Sequence, residues 1–292
     1  MQSSGCGSLL KICRSCSGHL CRISLPVRRE DWVSDSILNL APPEASHRVR
    51  YGPGIYHFAD LRIPDTAGPH PIAIAVHGGF WGKHQDLLYL GHVCEALRRH
   101  GVATWNVEYR RVGQEGGGWP GTLQDVGSAA DHLQNISEQF DLDLDNASAF
   151  GHSAGGHLAL WLAARSRIPR KSAVSSAAPL PLKAAFCVNG VSDLRQAWEL
   201  NLGPGVVEPF MGGAPSGVPL HYASASPTEL LPFGVRQMSK TYCHRAKEAG
   251  DQVTLLKLEG CAHFEPIHPR TAEGEKLVSV IANQHGIEVE KR

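Results

Sequence analysis

Apolar positions in this chain fall into two alternating rhythms. Short, nearly continuous apolar runs occur at PIAIAVHGG (71–79), VATWNVEYR (102–110) and AAFCVNGV (184–191). Runs of that length and purity predict parallel strands buried on both faces. Between them lie segments with helical spacing. DLLYLGHVCEALRRHG (86–101) sets Leu87, Leu90, Val93 and Leu97 on one face, with Arg98, Arg99 and His100 in the last turn and Gly101 as the natural residue after it. TLQDVGSAADHLQNISEQF (122–140) reads as a second helix. ASAFGHSAGGHLALWLAARSR (147–167) reads as strand, tight turn and helix, and TAEGEKLVSVIANQHG (271–286) as a closing helix. GIYHFADLRIP (54–64) alternates as a strand that Pro64 ends, and a last strand is expected at Val253–Leu258. Strands alternating with helices predict an α/β fold with a doubly wound, mostly parallel sheet.

This pattern fills residues 51–292 as one domain. Residues 1–50 read as a disordered or extended leader, and 198–227, rich in Gly and Pro, as a cap loop that cannot form regular core. The leader holds Cys6, Cys13, Cys16 and Cys21. Cys13-x-x-Cys16 with His19 and Cys21 sketches a zinc knuckle, but no second ligand pair follows it. Cys94, Cys187, Cys243 and Cys261 stand singly in apolar segments, as core thiols in a reducing compartment do, so a cytoplasmic location is expected. Lys+Arg and Asp+Glu balance at 28 each, which gives no basic surplus for nucleic acid or anionic membrane. No apolar run has the length of a membrane span.

The chemistry concentrates in three places. Gly151-His152-Ser153-Ala154-Gly155 has the G-x-S-x-G spacing between a strand and a helix, where a sharp turn presents a serine as nucleophile. His77-Gly78-Gly79-Phe80-Trp81 follows the first buried strand, where glycines let backbone amides approach a reacting carbonyl. The amides of Gly79 and Phe80, with that of Ala154, are the expected oxyanion donors, and His77 is expected to fix the loop. His263, between the last strand and the final helix, is the expected base toward Ser153. Asp125 is expected to pair with Arg110 and hold loops near the pocket.

With HGGFW, EYRR, GWPGTLQD, GHSAGGHLAL, Ser226-Pro227 and CAHFEPIHP in this order, the chain from about Tyr51 onward resembles the α/β-hydrolase superfamily. Within it, the chain is similar to bacterial esterases near the hormone-sensitive-lipase, feruloyl/acetyl-xylan esterase and kynurenine-formamidase groups. The resemblance implies Ser153 as nucleophile, His263 as base and Gly79, Phe80 and Ala154 as the oxyanion hole. It departs at LLPFGVRQMSKTYC (230–243), where such proteins carry a further strand and an acid-bearing loop. Here Gln237 runs straight into Met238, on the order of 15 residues short by usual strand and loop lengths. The remaining acid candidates are Asp193, after the strand at 184–191, and Glu265, beside the histidine; a helix cap is the plain role for Asp193. The implied activity is hydrolysis of small carboxylic esters through an acyl-enzyme, with no metal or organic cofactor. Two alternatives stay open: an arylformamidase or peptidase-like amidase, and a hydrolase-fold protein impaired by the missing acid.

Overall fold

A computed structural model describes residues 37–203, 205–232, 240–256 and 261–289. In chain order its regular elements are β1 (His47–Arg50), β2 (Phe58–Arg62), β3 (His70–Val76), α1 (Gly91–Arg99), β4 (Ala103–Val107), α2 (Gly121–Ile136), β5 (Leu142–His152), α3 (Ala154–Ala164) and β6 (Ala184–Val188). There follow α4 (Leu194–Glu199), α5 (Val207–Met211), α6 (Pro219–Ala225), α7 (Lys240–Glu248) and α8 (Ala272–Gln284). The strands form one sheet in the order β1-β2-β4-β3-β5-β6. β3 pairs in parallel with β4 and β5, and β5 with β6, while β1–β2 and β2–β4 are antiparallel.

Alternation along β3 shows how the core divides. Ile72, Ile74 and Val76 enter one apolar layer together with Leu123 and Val126 of α2 and Leu158 and Trp161 of α3. Ala73 and Ala75 enter the opposite layer with Val93 and Leu97 of α1 and Leu277 and Ile281 of α8. Both faces of the sheet are thus covered, which is the doubly wound α/β architecture the strand and helix pattern predicts. β3 lies where the strand order reverses, since the next strand in the chain sits on one side of it and the one after that on the other. Open α/β sheets bind ligands at the carboxyl ends of the strands flanking such a point. The loop at Gly78 and the turn at Ser153 follow those two strands, β3 and β5.

Three expectations need correction. The boundary at residue 51 falls too late: β1 adds to the sheet and Ile37 is buried in the core. β1 is an edge strand with mostly exposed side chains, so it lacks an apolar pattern. The stretch 198–227 is not wholly a loop outside the core: it forms α5 and α6, and Val207, Phe210, Met211 and Tyr222 join the main apolar layer. The strand expected at Val253–Leu258 is reduced over its described part, 253–256, to a single bridge residue at Val253; residues 257–260 lie outside the described residues. Val253 instead packs against Leu160, Ala185, Cys187 and Ala246, and β6 is the edge of the sheet among the described residues. The Gln237–Met238 junction and the leader cysteines also lie outside the described residues.

Arg110 and Asp125 meet as expected, and more deeply than a surface pair. Asp125 accepts from the Arg110 backbone amide, Nε and Nη2 at 2.9, 2.8 and 2.7 Å. His57 Nε2 lies 3.1 Å from the Oδ1 that Arg110 Nη2 also meets. Asp125 is buried, so replacing it with Ala strands these donors. Asp125→Ala is expected to destabilise the fold by about 3 kcal/mol, read as a shift of the urea midpoint with unchanged slope.

Candidate active site

Ser153 sits between β5 and α3 with φ 57° and ψ −121°, a backbone region that side chains rarely occupy. Close packing holds it there. A Cβ on Gly151 would lie 2.0 Å from the Gly155 carbonyl oxygen, and one on Gly155 would lie 1.9 Å from that of Val76. The two glycines of the motif are therefore required by backbone-to-backbone contact. The Ser153 amide donates to the Val188 carbonyl at 2.9 Å, tying the turn to the end of β6.

The loop after β3 lies against this turn. A Cβ on Gly78 would come within 2.9 Å of the Ser153 Cβ. Gly79, Phe80 and Trp81 all have positive φ, at 100°, 53° and 56°. His77 anchors the loop from beneath: it is fully buried, stacked on Tyr109 at 4.2 Å, with Nδ1 2.9 Å from the Gly78 carbonyl and Nε2 3.3 Å from Glu108. Trp81 donates its indole N–H to His157 Nδ1, and His157 donates through Nε2 to the Ala225 carbonyl. Burial lowers the His157 ring to about 4, so it stays neutral, as an acceptor at Nδ1 must. Phe80 stays partly exposed and faces Gly203, where a Cβ would strike its ring at 2.6 Å.

Backbone donors remain available at this junction. The Gly78 amide is taken by the Tyr89 hydroxyl at 2.6 Å and the Ser153 amide by Val188. The amides of Gly79, Phe80 and Ala154 make no hydrogen bond among the described residues. Ala154 opens α3, whose first-turn N–H groups have no partner within the helix.

His263 lies beside the same turn. Its backbone carbonyl accepts from His152 Nε2 at 2.9 Å and from Asn189 Nδ2 at 3.0 Å, and its ring stands 4.6 Å from the His152 ring. Burial lowers the His263 pKa below its ordinary value. Among the described residues no carboxylate pairs with this ring. Asp193 caps α4 by accepting from the Gln196 amide at 3.0 Å, and its other oxygen meets Arg245 at 3.0 Å. Glu265 turns back to accept from the Ala262 amide at 2.7 Å. The glycine loop touches the Ser153 turn at Gly78, and His263 touches it through His152, while Asp193 and Glu265 are engaged elsewhere. The sequence gives no sign of the part that Tyr89 and His152 play here. Tyr89 sits in an apolar run that reads as helix face, with no local sign of its distant partners.

A family model described as BD-FAE matches residues 59–231. No curated protein matches the chain. Several solved structures do. A truncated carbohydrate esterase from gut microbiota superposes with TM-score 0.69 at 16% identity, over 85% of this chain and all of that one. A propionate-bound esterase, Est2, from Thermogutta terrifontis gives 0.67 at 19% identity, over 86% and 97% of the two chains. A bacterial heroin esterase gives 0.63 at 20% identity, over 80% of each. These likenesses establish the fold. No described helix is long and apolar enough to cross a membrane.

Proposed function

This chain belongs to the BD-FAE family, and on that premise we propose that it is a serine hydrolase of small carboxylic esters. The observation that carries the reading is the backbone of Ser153, held at φ 57° and ψ −121° by two glycines beside three amides that are unpaired among the described residues. Strain of that kind persists only where packing over-determines it, and it lifts a side chain clear of its own backbone. Ester-cleaving structural neighbours support the same substrate class.

In this reading the Ser153 oxygen attacks the ester carbonyl carbon while the His263 ring takes its proton. The carbonyl oxygen becomes an anion and accepts from the amides of Gly79, Phe80 and Ala154. The bond to the alcohol oxygen breaks, His263 returns the proton to the departing alkoxide, and an acyl-Ser153 ester remains. Water, deprotonated by the same ring, attacks the acyl carbon; the bond to the Ser153 oxygen breaks, His263 returns the proton to that oxygen, and the carboxylic acid leaves. Phe80, half open beside the glycine loop, stands where the acyl or alcohol group would pass. Buried thiols at Cys94 and Cys187 suit a reducing compartment.

A second reading has its own support: a hydrolase of reduced turnover. Asp193 and Glu265 are both engaged away from the His263 ring, and a serine–histidine pair without its acid retains only part of its rate. Burst kinetics with a short-chain nitrophenyl ester, together with fluorophosphonate labelling mapped by mass spectrometry, test the proposal. Labelling at Ser153 with steady turnover supports full activity, and labelling with a burst but negligible steady state supports the reduced form. No label on Ser153 in folded protein rejects both.

The histidine's surroundings set a pH dependence. A base must be neutral to act, and burial lowers the His263 pKa with no carboxylate among the described residues to raise it. The acidic limb of kcat/KM is therefore expected below pH 6.5, the ordinary value for histidine. A limb above 6.5 would indicate a carboxylate on the ring.

A further inference from the structure

Three segments carry the proposed chemistry: the glycine loop after β3, the turn after β5 and the loop holding His263. One run of side-chain hydrogen bonds joins them. The Gly78 amide donates to the Tyr89 oxygen at 2.6 Å, Tyr89 Oη lies 3.2 Å from His152 Nδ1, and His152 Nε2 lies 2.9 Å from the His263 carbonyl oxygen. The protons along it have one consistent arrangement. A carbonyl only accepts, so His152 carries its proton on Nε2. Its Nδ1 then holds a lone pair and accepts from the Tyr89 hydroxyl. Tyr89 is left with an oxygen lone pair for the Gly78 N–H. Burial keeps the arrangement intact at both ends, holding Tyr89 as a phenol and His152 as a neutral ring. Asn189 adds a second donor to the same His263 carbonyl from the end of β6.

The histidine of a serine hydrolase must be held in orientation by something. Here its main chain receives two side-chain donors, while its ring receives no carboxylate among the described residues. We propose that His152, Tyr89 and Asn189 are positioning residues that hold His263 and the glycine loop in register with Ser153, acting on the histidine through its backbone carbonyl. The inference rests on the serine-hydrolase reading above. His152 is one residue from Ser153 in the chain, so the bond to His263 fixes nucleophile and base to each other directly. Phe264 closes the arrangement, with its ring 4.9 Å from that of His152 and 6.0 Å from that of Tyr89.

The test compares four variants with wild type on a nitrophenyl ester: His152→Ala, His152→Gln, Tyr89→Phe and Asn189→Gly. Glutamine can keep a donor toward the His263 carbonyl, and glycine accepts the positive φ of 49° at position 189 while removing the amide. Small displacements of a reacting group cost on the order of 100-fold in rate. The expected result is a kcat lowered about 100-fold in His152→Ala and about 10-fold in Tyr89→Phe and Asn189→Gly. KM should stay within about threefold, with His152→Gln recovering at least about 10-fold over His152→Ala. The rate of fluorophosphonate labelling at Ser153 should fall in parallel. If His152→Ala is folded and keeps its kcat, or if glutamine recovers nothing, the proposal is overturned. Should His152→Ala fail to fold, Asn189→Gly decides, since its site is exposed: wild-type kcat there overturns the proposal. Wild-type protein that neither labels at Ser153 nor turns over rejects the serine-hydrolase reading itself, a result separate from any variant.

Discussion

Replacing Ser153 with glycine is expected to abolish ester turnover and, at the same time, raise the unfolding midpoint. Loss of the nucleophile lowers kcat by about 10⁴-fold or more, because oxyanion donors and binding alone sustain only a small residue of the rate. The stability gain has a separate cause. A non-glycine residue at φ 57° and ψ −121° carries about 1–3 kcal/mol of backbone strain. Glycine removes it, at a cost of about 0.5–1 kcal/mol from the greater freedom of the unfolded chain. A net gain of about 1 kcal/mol corresponds to about 2–4 °C for a domain of this size. Ser153→Ala is the control, since it loses the hydroxyl but keeps the strain. Calorimetry that places Ser153→Gly at or below Ser153→Ala would show that the turn is relaxed.

The second large effect concerns Gly155. Alanine is the better helix former by about 1 kcal/mol, and Gly155 lies in the first turn of α3. Sterics should prevail here. The new methyl would lie 1.9 Å from the Val76 carbonyl oxygen and 2.6 Å from that of His77, both backbone atoms of the central strand and its loop. Neither can rotate away, so α3 must lift from β3. Overpacking of this kind costs about 3 kcal/mol. Gly155→Ala should lower the midpoint by about 10 °C and reduce kcat, because Ser153 and Ala154 move with the helix. Gly217→Ala, where the nearest atom is 3.6 Å away, should leave the midpoint within about 2 °C. Equal behaviour of the two variants would refute close packing at the turn.

Legibility from sequence followed the range of the forces involved. The turn at Ser153 and the loop at Gly78 were readable because each carries its glycines in a short motif directly after a strand. β3, β4 and β6 were readable because burial on both faces demands unbroken apolar runs. β1 was not, since an edge strand of HRVR carries no such demand. The helices of 207–211 and 219–225 were hidden by their glycines and prolines, although Phe210 stacks on Trp81 at 4.5 Å and Tyr222 is fully buried. The run from Gly78 through Tyr89 and His152 to His263 was beyond reach, because its bonds span 11, 63 and 111 residues. For Asp193, the role of helix cap, visible in V-S-D-L, is the one its side chain occupies.

The buried histidines have a further consequence, felt by the whole molecule as a demand for protons. His152 is depressed to about 3, and His157 and His285 to about 4, each chiefly by burial. In the unfolded chain all three titrate near the ordinary histidine value of 6.5. Above that value they are neutral in both states and cost nothing. Below it the unfolded chain takes up protons that the native state refuses. Stability therefore falls as pH drops from 6.5 toward 4, by up to about 1.4 kcal/mol per pH unit for each ring. These three rings, neutral in the native state, make acid unfolding a steep event that takes up several protons. His157→Gln should make the urea midpoint fall less between pH 6.5 and 4.5.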